Sequence, residues 1–248
     1  MGDEPPSVGR SNNTLTTKRG YTIEPRGVPL WMLGSLVPSS SHCIDTLNNN
    51  PNVNGIIVQL PLPSHLDTLK ITNRVNIEKD VDGFLPNSPF VPCTALGVVS
   101  LIEELEIDVN GKLVVVLGRS EFIGKRIADM LLAKNATVAI CHSKTTEETR
   151  KTLLANADIV IAAVGKAELF MANDVKPNAI VIDIGINKTE KGLCGDFVPP
   201  KDENYCDYTT VPGGVGLLTR AMLLKNTATA KQNQEKTKKP PKRKNPLH

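Results

Sequence analysis

A glycine-bounded turn and a polar loop follow two successive apolar runs near the middle of the chain. The run KLVVVLG leads into RSEFIG, so an arginine and a serine stand between Gly118 and Gly124, just before a predicted helix. A tight turn at a helix N-terminus presents free backbone N–H groups to an anion, such as a dinucleotide phosphate. The spacing is not G-x-G-x-x-G, so a plain strand-to-helix turn that requires glycine remains the alternative.

The polar loop CHSKT follows the next apolar run and bears on the choice of cofactor. In many dinucleotide-binding domains an acidic residue at this place accepts the 2′-hydroxyl of NAD. This chain instead offers His142, Ser143 and Lys144, with Arg119 in the neighbouring turn. A hydroxyl together with cations suits a 2′-phosphate and favours NADP. NAD stays open as an alternative, because Ser143 and Arg119 could serve either cofactor.

Two acids in the segment KDVDGF form a further candidate site. Asp80 and Asp82 stand beside Lys79, but no additional cluster of metal-binding residues accompanies them, so we predict no metal ion. A carboxylate that hydrogen-bonds a polar heterocycle fits this pattern better. The alternative is an ordinary turn, since Asp-Gly is a common turn dipeptide.

The segment NGIIVQLPLP places an amide at the end of an apolar run. GIIV is typical of a buried parallel strand, and the prolines after Gln59 prevent further ladder pairing. Ligands of parallel sheets collect beyond the carboxyl ends of strands, so Gln59 is a candidate wall of a crevice, with a solvated glutamine as the alternative. The glycines of PGGVG at residues 212–216 allow backbone to lie against a ligand, or simply permit a sharp return of the chain.

From residue 112 onward, apolar runs alternate with helical patterns. The strands predicted here are KLVVVLG, ATVAIC, DIVIAAVG and AIVIDIGIN. This alternation predicts βαβ units, a parallel sheet and therefore an α/β fold with a Rossmann-like domain. We place a first domain at residues 1–107, the Rossmann-like domain at 108–211, a glycine-rich turn and returning helix at 212–230, and a disordered basic tail at 231–248.

Composition narrows the class of protein. The 248 residues are 40% hydrophobic and 22% charged, as in an ordinary globular protein. Much of the net charge of +3 comes from the tail, so the body of the chain does not look built to bind nucleic acid. The five cysteines are scattered without a CxxC pair, which favours a reducing compartment, and no apolar run reaches membrane-spanning length. We therefore expect neither a nucleic-acid nor a membrane partner.

Taken together, the motifs resemble one family. IIVQLPLP, KDVDGF, PCT, VLGRS, CHSKT, ADIVIAAVG, VIDIGIN and VPGGVG occur in this order, as in the methylenetetrahydrofolate dehydrogenase/methenyltetrahydrofolate cyclohydrolase family, over nearly all of residues 54–225. The resemblance implies a Rossmann-like NAD(P)-binding domain and a smaller α/β folate-binding domain that the C-terminal helix completes. It also implies NADP-dependent oxidation of 5,10-methylenetetrahydrofolate to the methenyl compound and hydrolysis to 10-formyltetrahydrofolate, in one-carbon metabolism and purine biosynthesis.

The resemblance also implies roles for individual residues. The catalytic residues would be Gln59 and Asp82. The folate-binding residues would be Gln59, Leu60, Pro61, Asp82, Pro212, Gly213 and Gly214. The cofactor-binding residues would be Gly118, Arg119, Ser120, Gly124, His142, Ser143 and Ile186. A homodimer through the Rossmann-like domain and a cytoplasmic location are further expectations, with a mitochondrial location if an N-terminal segment is missing.

The N-terminal part departs from the family pattern. The family has Tyr-x-x-x-Lys after G-D-x-P-x-S, and counting from GDEPPS at residues 2–7 puts Arg10 at the tyrosine position and Thr14 at the lysine position. The neutral threonine hydroxyl cannot replace a lysine cation that exchanges protons. We therefore expect impaired turnover. A pseudoenzyme that binds NADP or folate, an incomplete gene model and a Rossmann-like interaction module remain alternatives to a working bifunctional enzyme.

Overall fold

The fold is described here from a computed structural model, which covers residues 15–16, 22–23, 37–60, 62–190, 192–202 and 204–238. Short 3-10 helices lie at Ile77–Lys79 and Ala172–Asp174. The strands and helices follow in chain order: β1 (Leu15–Thr16), β2 (Thr22–Ile23), α1 (Val37–Asn49), α2 (Thr68–Thr72), α3 (Cys93–Glu104), β3 (Leu113–Leu117), α4 (Gly124–Leu132), β4 (Thr137–Cys141), α5 (Glu147–Asn156), β5 (Ile159–Ala162), β6 (Phe170–Met171), β7 (Ile180–Asp183), β8 (Asn187–Thr189), β9 (Gly192–Cys194), β10 (Phe197–Val198), β11 (Asp207–Tyr208) and α6 (Val215–Lys238).

A five-stranded parallel sheet lies at the centre of the second domain. Its strand order is β11-β7-β5-β3-β4, and each neighbouring pair is parallel. The register sets Leu117 opposite Cys141 on one side and Ala162 on the other. All of these strands therefore end at the same edge of the sheet, where ligands of such sheets bind. The predicted α/β fold with a Rossmann-like sheet is confirmed.

Helices cover both faces of this sheet, which explains the continuous apolar runs. On one face Val98, Ile102 and Ile127 of α3 and α4 pack against β3, β5 and β7. On the other face Leu154 of α5 and Phe170 of β6 pack against the same strands. Val114 and Val115 point to opposite faces, and both side chains are fully buried. A strand that is buried on both faces has no polar side to show in the sequence.

The prediction that the whole of GIIV forms a buried strand is wrong. In the described residues only Ile56 makes a bridge, parallel to Asp80, and its N–H donates to the carbonyl of Lys79 at 2.7 Å. The neighbouring segment is the 3-10 helix Ile77–Lys79, which cannot continue a ladder. Ile57 is 45% exposed, so the run is not covered on both faces.

The C-terminal helix α6 packs along α3 and donates hydrogen bonds to the carbonyls of Asn54, Glu78 and Val81. A Cβ on Gly97 of α3 would lie 3.2 Å from Cβ of Leu218, so the two helices approach closely at this glycine. Helix α6 also runs on to Lys238, beyond the predicted boundary at residue 230. It does so because buried Gln234 donates to the carbonyls of Asn54 (3.0 Å) and Glu78 (3.1 Å), which anchors the extra turns.

Several sequence expectations fall outside the described residues. These are the segment at 2–7, the family tyrosine and lysine positions Arg10 and Thr14, the predicted folate-binding Pro61, and the tail beyond residue 238. Among the helices described, none is both long enough and apolar enough to cross a membrane.

Candidate active site

The turn between β3 and α4 is folded tightly on itself. Gly118 has φ +114°, and a Cβ there would collide with the carbonyl oxygen of Ala163; a Cβ on Gly124 would collide with the carbonyl of Gly118. The N–H of Gly124 donates to Oγ of Ser120 at 3.4 Å, and the N–H of Lys125 donates to the Ser120 carbonyl at 3.1 Å. Both predicted glycines are therefore required by the backbone geometry.

This turn has the free donors that a phosphate needs. For the backbone N–H groups of residues 119–122, no acceptor is found among the described residues. Arg119 and Ser120 are exposed at the same place. Backbone N–H groups beside a guanidinium and a hydroxyl match the chemistry of a pyrophosphate, so the residues present fit a dinucleotide.

The loop after β4 lies beside this turn. The N–H of Gly118 donates to the carbonyl of Cys141 at 2.9 Å, so the two strand ends are in direct contact. The loop is closed internally by hydrogen bonds from the His142 N–H to Oγ1 of Thr145 (2.9 Å) and from the Lys144 N–H to Nδ1 of His142 (3.1 Å). Ser143 and Lys144 are left exposed beside the turn.

A cleft of about 180 Å³ lies farther along the same edge of the sheet. The end of β7 forms one wall and the turn before α6 forms the other, and the peptide bond between Val211 and Pro212 is cis. Gly213 has φ +107°, in the region that favours glycine. Four of the predicted site residues line this one cleft: Ile186, Pro212, Gly213 and Gly214.

Two buried acids that the sequence analysis missed hold the loops around this cleft. Asp196 accepts hydrogen bonds from the N–H groups of Val164 (2.8 Å), Gly165 (3.0 Å) and Lys166 (2.9 Å). Asp183 accepts from the N–H groups of Gly185 (2.8 Å) and Phe197 (2.9 Å). Burial raises the pKa of Asp183 to about 6, opposed by these N–H donors. An aspartate at the end of VIDIG carries no sequence signal that distinguishes this role from a solvated turn.

Asp82 lies in a half-buried site next to a small cavity. Asp80, Asp82 and Phe84 line this cavity together with apolar side chains of the first domain. Burial, reinforced by the negative charge of Asp80, raises the pKa of Asp82 to about 6 and outweighs a hydrogen bond from the Cys93 thiol. A carboxyl group with this pKa exchanges protons near neutral pH, which suits general acid–base work.

The loop that carries Asp82 is tied to the C-terminal helix. Nδ2 of Asn226 donates to the carbonyls of Val81 (3.0 Å) and Val91 (3.2 Å) and lies 3.5 Å from Sγ of Cys93. Burial first, and then the charge of Asp82, raise the pKa of Cys93 to about 12, so this thiol stays protonated. Asn226 and Cys93 were not predicted, because only the folded chain brings α6 beside this loop.

The structure does not bring Gln59 into either cavity. Gln59 is exposed and its Nε2 donates to the carbonyl of Leu60 at 3.2 Å. Asp82 lines the small cavity and Gly213 the larger cleft, whereas neither lining includes Gln59 or Leu60 within the described ranges. The role of Gln59 therefore stays a prediction.

One ring contact joins the acid loop to the glycine turn. The rings of Phe84 and Phe122 are stacked with centroids 4.3 Å apart. Phe84 is two residues after Asp82, and Phe122 lies inside the turn at 118–124. The loop that carries Asp82 and the candidate phosphate turn are thus in contact. In the residues that the structure describes, no group of three or more His, Cys, Asp or Glu side chains is arranged to hold a metal ion.

Comparison with known families agrees with this geometry. The NAD(P)-binding domain of tetrahydrofolate dehydrogenase/cyclohydrolase matches residues 92–235, and the catalytic domain of the same family matches residues 39–82. The first match covers the sheet, the turn, the polar loop and most of α6. The second ends at Asp82, so the two matches account for both parts of the site.

Individual relatives extend over most of the chain. The bifunctional protein FolD of Polaromonas naphthalenivorans is 46% identical over 198 residues, which are 75% of this chain and 70% of the relative. The crystal structure of the bifunctional enzyme FolD from Campylobacter jejuni is 41% identical with a TM-score of 0.73, covering 79% of this chain and 73% of that one. The Trypanosoma brucei dehydrogenase-cyclohydrolase, complexed with NADP and an inhibitor, is 34% identical with the same TM-score and the same coverage. The chain therefore belongs to the tetrahydrofolate dehydrogenase/cyclohydrolase family.

Proposed function

We propose that this chain oxidises 5,10-methylenetetrahydrofolate with NADP and then hydrolyses the methenyl product to 10-formyltetrahydrofolate. The observation that carries the proposal is the stack of Phe84 on Phe122, because it sets the loop of Asp82 beside the turn that fits a dinucleotide. A dehydrogenase needs its cofactor and its substrate on facing walls, since the alignment of hydride donor and acceptor is a large part of what the protein contributes to the rate.

The NAD(P)-binding domain would hold the cofactor at the carboxyl edge of the sheet. Arg119, Ser120 and the free N–H groups of the turn would bind the pyrophosphate. His142, Ser143 and the exposed Lys144 would bind a 2′-phosphate and so favour NADP over NAD. When bound, NADP supplies the hydride acceptor, and the protein contributes binding, orientation and electrostatics.

The first domain and the turn before α6 would hold the folate. Asp82, with its pKa raised to about 6, would hydrogen-bond the pterin ring and hold or release a proton. Pro212, Gly213 and Gly214 would present a flat backbone surface where the two ligands meet. The remaining wall of the substrate site would be formed by Gln59, Leu60 and Pro61.

Two direct spectrophotometric assays test the two activities separately. With 5,10-methylenetetrahydrofolate, NADP reduction reports the dehydrogenase; with methenyltetrahydrofolate, loss of the methenyl absorbance reports the cyclohydrolase. We expect both signals, with NADP preferred over NAD. Absence of folate binding and of both signals in the folded protein would contradict the proposal.

A pseudoenzyme that binds its ligands without turnover is the second candidate, and the substitutions at the family lysine and tyrosine positions favour it. Thr14→Lys tests it directly, because an ammonium group at this position restores the proton-exchanging cation that threonine lacks. A wild-type chain that binds tetrahydrofolate but turns over only as Thr14→Lys supports the pseudoenzyme. A wild-type chain that turns over as fast as Thr14→Lys, at a measurable rate, argues against the pseudoenzyme.

The homodimer implied by the resemblance would form through the NAD(P)-binding domain. The edge position of β4 and the 38% exposure of Ile140 on that strand support this proposal. Light scattering tests the dimer, and a monomer at micromolar concentration would argue against it. A cytoplasmic location remains a prediction, which imaging of a full-length fusion tests.

A further inference from the structure

The stacked rings of Phe84 and Phe122 form a contact between the two halves of the site. Their planes are inclined by only 27° at a centroid distance of 4.3 Å, so the two rings are stacked. Both residues are half-buried. The contact therefore has the geometry and the partial desolvation that make an aromatic pair favourable.

Phe84 is firmly connected to the loop that carries Asp82. The N–H groups of Phe84 (3.3 Å) and Leu85 (2.9 Å) donate to the two carboxylate oxygens of Asp80. Gly83, with φ +74°, folds back so closely that a Cβ would lie 2.7 Å from the carbonyl of Phe90. Because these contacts make residues 80–85 one folded unit, a contact that holds Phe84 also bears on the position of the loop that carries Asp82.

Phe122 is not needed to close the glycine turn. The approach of Gly124 to Gly118 and the hydrogen bonds to Ser120 hold the turn without any contribution from the Phe122 ring. Its side chain reaches out of the turn to the first domain. The ring is thus attached to the cofactor side of the site, and its contact lies on the substrate side.

We propose that Phe122 is a positioning residue for the folate site, which acts from the cofactor domain by stacking on Phe84 and so fixing the loop of Asp82. The inference rests on the proposed function, because it assigns this loop to folate. It identifies a residue of the NAD(P)-binding domain whose removal weakens the handling of folate and leaves the binding of NADP largely intact.

The test is a double-mutant cycle of Phe122→Ala, Phe84→Ala and the double variant. Calorimetry gives Kd for tetrahydrofolate and for NADP, and initial rates give kcat and KM for 5,10-methylenetetrahydrofolate where turnover is measurable. Each single variant is expected to weaken tetrahydrofolate binding about two- to tenfold, the range of one aromatic pair, with Kd for NADP changed less than about twofold. The double variant is expected to lose no more than either single variant.

Two controls separate positioning from general damage. Phe122→Tyr keeps the ring, so its affinity for tetrahydrofolate is expected to stay within about twofold of the wild type. Leu132→Ala also truncates an apolar side chain, but Leu132 is 61% exposed at the far end of α4, the helix that follows the turn, so this variant should match the wild type. Thermal unfolding of every variant identifies loss of folding, and Phe122→Leu replaces Phe122→Ala if the alanine variant does not fold.

The outcomes are distinguishable. Additive losses in the cycle, an equal change in NADP affinity, or unchanged tetrahydrofolate affinity in a wild type that binds it would each overturn the positioning role alone. A folded wild-type chain that binds no tetrahydrofolate would overturn the proposed function and this inference together.

Discussion

Replacing Asp82 or Asp183 by asparagine should change the stability of the fold in opposite directions. Asp82 and Asp183 both have a pKa raised to about 6, chiefly by burial. They differ in their hydrogen bonds. Asp183 accepts from two backbone N–H groups, one on each carboxylate oxygen, whereas no backbone N–H of the described residues donates to Asp82. We expect Asp82→Asn to stabilise the fold at neutral pH and Asp183→Asn to destabilise it.

The magnitude for Asp82 follows from its pKa. A rise from 3.8 to about 6 means that, above pH 6, ionisation in the folded state is opposed by at most about 3 kcal/mol, at 1.36 kcal/mol per pKa unit. The side chain is only half-buried, so water screens it and we expect about 1 to 2 kcal/mol. Asparagine does not ionise and keeps one oxygen for the Cys93 thiol, so Asp82→Asn should be more stable than the wild type by this amount at pH 7.5.

The pH dependence has a definite sign. The folded state binds the Asp82 proton more tightly than the unfolded state, so the stability due to this group is lost as pH rises from about 4 to about 6. At pH 4.5 the advantage of Asp82→Asn should be about a third of its value at pH 7.5.

For Asp183 the amide is the wrong replacement. The NH₂ of asparagine would face the N–H of Gly185 or of Phe197, so this NH₂ and the buried N–H that it faces would both lack an acceptor. At about 1 to 3 kcal/mol each, this cost outweighs the gain of at most about 3 kcal/mol from removing the charge. The same substitution at two acids of similar pKa thus tests whether hydrogen bonds or charge burial decides the sign.

Urea unfolding at pH 4.5 and 7.5 measures both variants, with the m-value as a check on the two-state analysis. The stabilised Asp82→Asn protein should also lose most of its dehydrogenase or cyclohydrolase activity, or its tetrahydrofolate affinity if the wild type does not turn over. The reasoning is refuted if Asp82→Asn is less stable than the wild type at pH 7.5, or if its advantage is the same at both pH values. Greater stability of Asp183→Asn would refute the hydrogen-bond part.

Three further substitutions test separate parts of the site. Asn226→Leu leaves two buried carbonyls without their donor and should reduce the free energy of unfolding by about 1 to 3 kcal/mol, whereas the exposed control Asn233→Leu should have little effect in the same urea titration. Gly124→Ala introduces a Cβ that collides with the carbonyl of Gly118, so calorimetry should show at least about tenfold weaker NADP binding; unchanged affinity would show that the turn is not the phosphate site. Ser143→Asp places a negative charge where a 2′-phosphate would bind and should raise KM or Kd for NADP about tenfold or more while affecting NAD less; equal effects on both cofactors would argue against a 2′-phosphate at this loop.

The central sheet could be predicted from the sequence because its strands are buried on both faces. Runs such as VVVL and IVIA are continuous, rich in β-branched residues and bounded by helices. This pattern is typical of a parallel strand that is buried on both faces. β11 was missed because it has two residues, Asp207 and Tyr208, and its pairing depends entirely on β7. The segment GIIV has the same composition as the sheet strands but faces a 3-10 helix, so composition alone predicted a strand that its neighbour cannot pair with.

The glycines of the site were predictable because backbone conformation dictates the residue type there. Gly118 and Gly213 must adopt positive φ, so their positions are visible in the sequence. The side chains that hold the loops, such as Asp196 and Asn226, act on carbonyl and N–H groups from distant parts of the chain. Nothing in the local sequence separates such a residue from a solvated polar one, and only the folded chain identifies its partners.

The long-range contacts of α6 explain how Asp82 can remain in an unfavourable environment. Asn226 is 145 residues away from Val81 in the chain, yet its amide binds the carbonyls on both sides of the loop that holds Asp82. These hydrogen bonds keep the loop closed, and the closed loop keeps the Asp82 carboxyl away from water, which raises its pKa. The stability lost by burying this acid is therefore offset by the helix that encloses it. It follows that removing the hydrogen bonds of Asn226 should lower the pKa of Asp82. Any pH dependence governed by the Asp82 carboxyl should then move to lower pH.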